Sequence, residues 1–117
     1  MKQTIILTGQ VRGGKNNMGV TKKGKHYPKK LFKEWRDEAV MQVFLQKLVR
    51  LTVPCSMDIV YTTGDKKKRD IPAILDAIFH VLERAGVVDD DSLIENVNFK
   101  KFYDKENPNV RMTIWKK

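Results

Sequence analysis

The chain has 117 residues, room for one domain over residues 1–117 but not for two independent cores. Its 23 Lys and Arg outnumber 14 Asp and Glu, a formal charge of +9 that favours a polyanionic partner. One cysteine, Cys55, excludes an intrachain disulfide, no apolar run approaches the ~20 residues that span a bilayer, and the start MKQTIILTGQ has no signal-peptide pattern, so a cytosolic protein is expected.

Thr4 to Thr8 is a short β-rich apolar run ended by Gly9 and reads as a strand buried on both faces. Gly9 to Lys30 has no period of either kind and many lysines, a long basic loop suited to be a binding arm. From Leu31 the residues Trp35, Ala39, Val43 and Leu48 recur at helical spacing, so a helix to about Lys47 follows, entered after Pro28. Cys55 to Tyr61 is a second strand, punctuated by Thr62, Thr63, Gly64 and Asp65. Ile71, Ile74, Leu75, Ile78, Phe79 and Leu82 form one face of a second helix, with Asp70 placed as N-cap, Pro72 in the first turn and Gly86 as the stop. Leu93 to Phe102 and Val110 to Trp115 are two further strands, and the polar stretch Asp104 to Pro108 suits a hairpin turn between them. The order β-α-β-α-β-β predicts an α+β fold, a small mixed β-sheet of about four strands packed with two helices.

Charge is sorted along this chain rather than interspersed. Arg12, Lys15, Lys22, Lys23, Lys25, Lys29, Lys30, Lys33 and Arg36 face one acid, Glu34; from Asp70 to Glu95 the sign reverses. The basic arm and the run Lys66, Lys67, Lys68, Arg69 have the charge that phosphates require, Asn16 and the glycines add hydrogen-bonding capacity, and Tyr27 and Trp35 offer stacking surfaces. The bland alternative is a solvated charged loop. Asp70, Asp76 and the run Asp89, Asp90, Asp91 have the oxygen chemistry that Mg²⁺ prefers. Their plainer readings are a helix cap for Asp70 and a solvated acidic turn for the three, although adjacent acids repel each other and a cation offsets that cost. If the strand after Asp91 lies beside the one ending near Asp65, the acidic groups meet at one sheet edge; antiparallel packing along the helix holds them apart.

Gly9, Gly14 and Lys15 stand at the spacing of a P-loop, but Asn16 replaces the Ser or Thr that would hold Mg²⁺ and residues 17–24 do not read as a helix, so nucleotide binding is the weakest reading. His80 reads as a surface residue of its helix, Cys55 as a packed strand residue and Trp115 as core or interface.

Arg69, Asp70, Ile71, followed by a helix, then Ala85, Gly86, Val87, Val88 and Asp89, Asp90, Asp91, Ser92, resembles the signature of the RusA family of Holliday junction resolvases. The segment Gly13 to Asn17, the Tyr27 to Trp35 region and Lys100/Lys101 are similar to that family as well, so the resemblance covers nearly the whole chain. It implies a homodimer, bacterial or phage-encoded, that cuts four-way DNA junctions in recombination and repair by Mg²⁺-assisted phosphodiester hydrolysis, with Mn²⁺ as a possible substitute. By the same resemblance Asp70 and Asp91, with Asp90 beside it, are metal ligands. Pro72 and Asp76 stand where the best-known pattern has an Asp and a Lys. Asp76, one turn beyond Pro72, returns a carboxylate as a replacement catalytic residue and ligand, and Lys101 is the candidate for the lost lysine. Arg12, Lys15, Asn16, Lys22, Lys23, Lys25 and Lys66 to Arg69 are the expected DNA contacts. A non-catalytic junction-binding module that lost its chemistry with Pro72 is the rival from a different class.

Overall fold

A computed structural model describes residues 2–12, 18–20, 26–28 and 30–117, the two short segments 18–20 and 26–28 by their backbone alone. In chain order the elements are β1 (Lys2–Thr8), β2 (Met18–Val20), β3 (His26–Pro28), α1 (Lys30–Leu45), β4 (Cys55–Thr63), α2 (Ile71–Arg84), a 3₁₀ turn at Asp91–Leu93, β5 (Ile94–Tyr103) and β6 (Asn109–Lys116). β1, β6, β4 and β5 form one four-stranded sheet in that spatial order. β6 is antiparallel to both its neighbours and β4 is parallel to β5, so the sheet is mixed and the α+β expectation holds. Within the basic segment, β2 and β3 pair as a small antiparallel ribbon where only loop was expected.

The register lines up one buried row across the sheet. Ile5 faces Met112, which faces Ile59, and Leu7, Val110 and Tyr61 follow two residues along. These side chains are buried together with Phe32, Ala39 and Val43 of α1 and Ile74, Ala77, Ile78, Val81 and Leu82 of α2, so both helices cover the same face of the sheet. Strand residues alternate between faces, which is why the opposite row, including Asp58, Val60 and Thr62, stays half-exposed.

Two expectations are corrected here. β1 is buried on one face only, with Ile6 44% exposed on the other, because it is an edge strand of a one-sided sheet. The residues after β5 do not close a hairpin, since β4 lies between β5 and β6. The reason is apolar content. β6 supplies Val110, Met112 and Ile114, each fully buried, and belongs in the interior of the sheet. β5 carries Asn96, Asn98, Lys100 and Lys101 and fits only an edge.

The parallel pair β4 and β5 is joined by α2, and such a crossover requires the helix to run back antiparallel to both strands. The start of α2 therefore lies by the end of β4 and its end by the start of β5. Pro72 sits in the first turn and Gly86, at φ 78°, follows the C-cap Ala85, where the left-handed conformation ends the helix. Leu51 then clamps the chain that leaves, accepting from Asp89 N at 3.0 Å and donating to Val87 O at 2.8 Å. Among the described residues no helix is long and apolar enough to cross a membrane.

Candidate functional site

The C-terminal end of α2 is acidic. Glu83 in its last turn, with Asp90 and Asp91 from the turn that enters β5, presents carboxylate oxygens all within 4.8 Å of one another on an exposed surface. Asp90 caps the 3₁₀ turn by accepting from Ser92 N at 2.8 Å, and Asp91 N donates to Glu83 Oε2 at 3.3 Å. The Ser92 N–H lowers the Asp90 carboxyl from its ordinary range. Partial desolvation, then the charges of Glu83, Asp90 and Asp76, push the Asp91 carboxyl up. Asp89 is set apart by its ion pair with Arg50. Three converging oxygen donors match what a hard divalent cation coordinates, leaving room for water and a phosphate oxygen.

The N-terminal end of α2 is basic. Gln10, Val11 and Arg12 after β1, Lys67 to Asp70 and the first turn of α2 enclose a cleft of about 370 Å³. Its wall is held by a closed network of hydrogen bonds. Gln10 Nε2 donates to the Tyr61 hydroxyl at 2.8 Å, while Gln10 Oε1 accepts from Gly64 N at 2.8 Å and Thr63 Oγ1 at 3.2 Å. Arg69 reaches both Asp65 oxygens, at 2.5 and 2.8 Å, and Thr63 Oγ1 at 2.9 Å. These bonds, with Lys67 N donating to Asp65 Oδ1 at 3.0 Å, hold the Asp65 carboxyl far below the usual carboxylate range. Arg12, Lys66, Lys67 and Lys68 remain exposed around this frame.

The structure thus separates residues that were expected together. Asp70 lines the basic cleft, whereas Asp90 and Asp91 lie at the far end of the 14-residue α2, about 21 Å of helix away at ~1.5 Å per residue. Asp70 occupies the N-cap position, but its side chain does not cap the helix N–H groups, against the plainer reading. Asp76 is on the exposed face of α2 and its charge is felt by Asp91, so it belongs to the acidic end. Lys101 shares a hollow with Asp65, Lys66 and Tyr103 and belongs to the basic end. Of the expected DNA contacts, Arg69 is committed to Asp65, and Lys15, Asn16, Lys22, Lys23 and Lys25 lie outside the described residues, as does Gly14, while Tyr27 is described by its backbone alone. His80 is exposed beside Phe32, and Cys55 is a buried strand residue. Trp115 is half-exposed on the open face under the Lys2 ammonium at 4.4 Å.

Glu83 and the Gln10 network escaped sequence reasoning. Glu83 lies seven residues after Asp76 on the same helix face, a periodicity that carried the signal. Gln10 stands in a loop and bonds to partners more than fifty residues away, which no local pattern shows.

A small mixed sheet that sets an acidic, cation-fitting cluster and a basic cleft at the two ends of one crossover helix defines a nucleic-acid-processing domain. Residues 8–115 match the family Endodeoxyribonuclease RusA, and the chain belongs to that family. It is 30% identical over 116 residues, 97% of its length and 92% of the relative's, to the crossover junction endodeoxyribonuclease RusA of Aquifex aeolicus (strain VF5). The family is one of endodeoxyribonucleases by its description.

Proposed function

We propose that this protein resolves four-way DNA junctions in recombination and repair as a homodimer that requires Mg²⁺, with each active site shared between two protomers. The observation that carries this reading is the separation of Asp70 from the Glu83, Asp90 and Asp91 cluster by the length of α2. A two-fold axis presents equal surfaces in opposite directions. A dimer that sets its two α2 helices antiparallel places the Asp70 end of one protomer at the acidic end of the other.

Glu83, Asp90 and Asp91 would hold the cation, with the Asp76 carboxylate adding to the negative field that draws it. Bound Mg²⁺ supplies a lowered pKa for water and charge stabilisation at the phosphate. The chain's own residues do the rest: Arg12 and Lys66 to Lys68 bind backbone phosphates and orient the strand. The Arg69–Asp65 pair keeps the loop that carries Asp70 rigid. Pro72 at the position of a family carboxylate favours the non-catalytic alternative, which predicts tight junction binding without cleavage in any divalent metal.

The test is complementation. Asp70→Asn and Asp91→Asn homodimers are each expected to bind a synthetic junction without cutting it. Mixed after unfolding and refolding together, half the dimers are heterodimers with one intact shared site, so nicking returns to about a quarter of the wild-type site count under random pairing. EDTA abolishes it. Failure of the mixture to cut, with junction binding intact, overturns the shared site.

A further inference from the structure

The far end of β5 carries a chemistry that the basic cleft lacks. Its last two residues are aromatic and open to solvent, Phe102 at 54% and Tyr103 at 48% exposed. In the parallel register against β4 they stand beside Thr62 and Thr63, which puts Phe102 on the open face of the sheet and Tyr103 on the face that carries the helices. The two-residue period of the strand gives each ring a lysine on its own face, Lys100 for Phe102 and Lys101 for Tyr103, both exposed. A third, Lys66, sets its ammonium 5.2 Å from the centre of the Tyr103 ring. Large rings left in water among cations forgo the burial that normally stabilises them, and such side chains mark contact surfaces.

The backbone beneath these rings is fixed. Asp104 N donates to Thr63 O at 3.0 Å and extends the pairing with β4 past Tyr103. Asp104 then organises the turn, its Oδ1 accepting from Glu106 N at 3.0 Å and its carbonyl from Asn107 N at 3.3 Å. The corner also adjoins the basic cleft. Thr63, Asp65, Lys66, Lys101, Phe102 and Tyr103 line one hollow, and the same loop, through Asp65 and Lys67 to Arg69, lines the cleft. Arg69 engages both oxygens of Asp65, so the charge this loop offers a ligand is cationic on either side: Lys66 toward the rings, Lys67 and Lys68 toward the cleft.

We propose that Phe102 and Tyr103 form a stacking site for unpaired bases of a DNA strand whose phosphates are held by Lys66, Lys100 and Lys101. The inference rests on the DNA-cleaving reading above and adds the part of the surface that tells a branch point from plain duplex. Every base has a flat face on which an aromatic ring stacks, and lysines neutralise the phosphates between successive bases. In a duplex those faces are stacked inside the helix, and a protein reaches only phosphates and groove edges. Lysines alone therefore grip duplex and single strand alike. Rings flanked by lysines add binding only where bases are unpaired, as where strands are exchanged between arms. Lys66 and Lys67 are neighbours in the chain, so a strand passes from cleft to corner with its phosphates on one loop.

The full-length chain tests this through binding, with EDTA present so that no strand is cut. The probes are a labelled oligothymidine and a labelled duplex of the same length. Phe102→Ala/Tyr103→Ala is expected to weaken oligothymidine binding about tenfold or more while duplex binding holds. The dependence of oligothymidine affinity on salt should keep its wild-type slope, since no phosphate contact is lost. Phe102→Tyr/Tyr103→Phe keeps both rings and should bind as the wild type does. Irradiation of the unsubstituted protein with an iodouracil-substituted oligothymidine is expected to cross-link Phe102 or Tyr103, a readout that needs no variant to fold. Cross-links found only elsewhere, no loss of oligothymidine affinity in the double alanine variant, or an equal loss for both probes would each overturn the stacking site, and junction cleavage would stand on its own test. A wild type that cross-links here yet cuts no junction in Mg²⁺ keeps the site and overturns the cleavage reading.

Discussion

The two ends of α2 carry opposite charge and solve opposite problems. At its start every strongly interacting group is answered within the chain: Arg69 by Asp65 and Thr63, Gln10 by Tyr61, Thr63 and Gly64. The leftover lysines surround a stiff frame. At its end Glu83, Asp90 and Asp91 are crowded and form no ion pair among the described residues, while Arg50 answers Asp89. One end is stabilised by its own contacts. The other stores repulsion that a divalent cation would offset, a trade of stability for function.

The comparison breaks or sharpens at particular residues. The largest effect is expected at Asp91. Replacement by Asn should lower junction cleavage ~10²-fold or more, as loss of a charge-stabilising group does. The fold should not suffer. Because its surroundings raise the Asp91 carboxyl, ionisation there opposes folding at neutral pH, and the variant should melt at the same temperature or higher. A large fall in Tm would place Asp91 in the framework rather than in the site.

Next comes the basic cleft. Lys67→Ala with Lys68→Ala should leave the melting temperature alone and reduce the salt dependence of junction binding by about one unit of slope per lysine that contacts a phosphate. An unchanged slope would remove both lysines from the interface.

The frame itself is open to smaller tests. Gln10→Ala strands Gly64 N, Thr63 and the Tyr61 hydroxyl, and should cost about 1–3 kcal/mol in urea denaturation, whereas Tyr61→Phe removes one bond and should cost about 1 kcal/mol. Equal costs would mean the network is not a unit. The Asp65 pair should show itself through pH. Its carboxyl is depressed, so the stability it contributes is fully present above the unfolded carboxylate range, near ~3.9, and is lost as pH falls through that range toward the folded value. Wild type should be more stable than Asp65→Asn at neutral pH, and the two denaturation midpoints should converge on acidification. A gap that persists in acid would point to packing rather than to charge.

Much of this was legible in the residues. The one-faced stripe Ile74, Ile78, Leu82 and the Asp70 to Gly86 punctuation placed α2 to within a residue or two. Short-range β patterning placed β4, β5 and β6. The Arg69-Asp70 and Asp90-Asp91 motifs pointed to the family. The hairpin expected at Asp104 to Pro108 was wrong because a polar turn between two strands says that the chain reverses, not which strand it reverses against. The polar residues of β5 favour an edge, a signal carried by the strand's own composition.

Composition and periodicity determined the elements and the sorting of charge along the chain, since these depend on local backbone preference and side-chain chemistry. Only the tertiary structure decided which carboxylates meet. A crossover between parallel strands must run the full length of the sheet in reverse, and that constraint parts Asp70 from Asp91, recruits Glu83 to the acidic end and leaves β5 as an open edge.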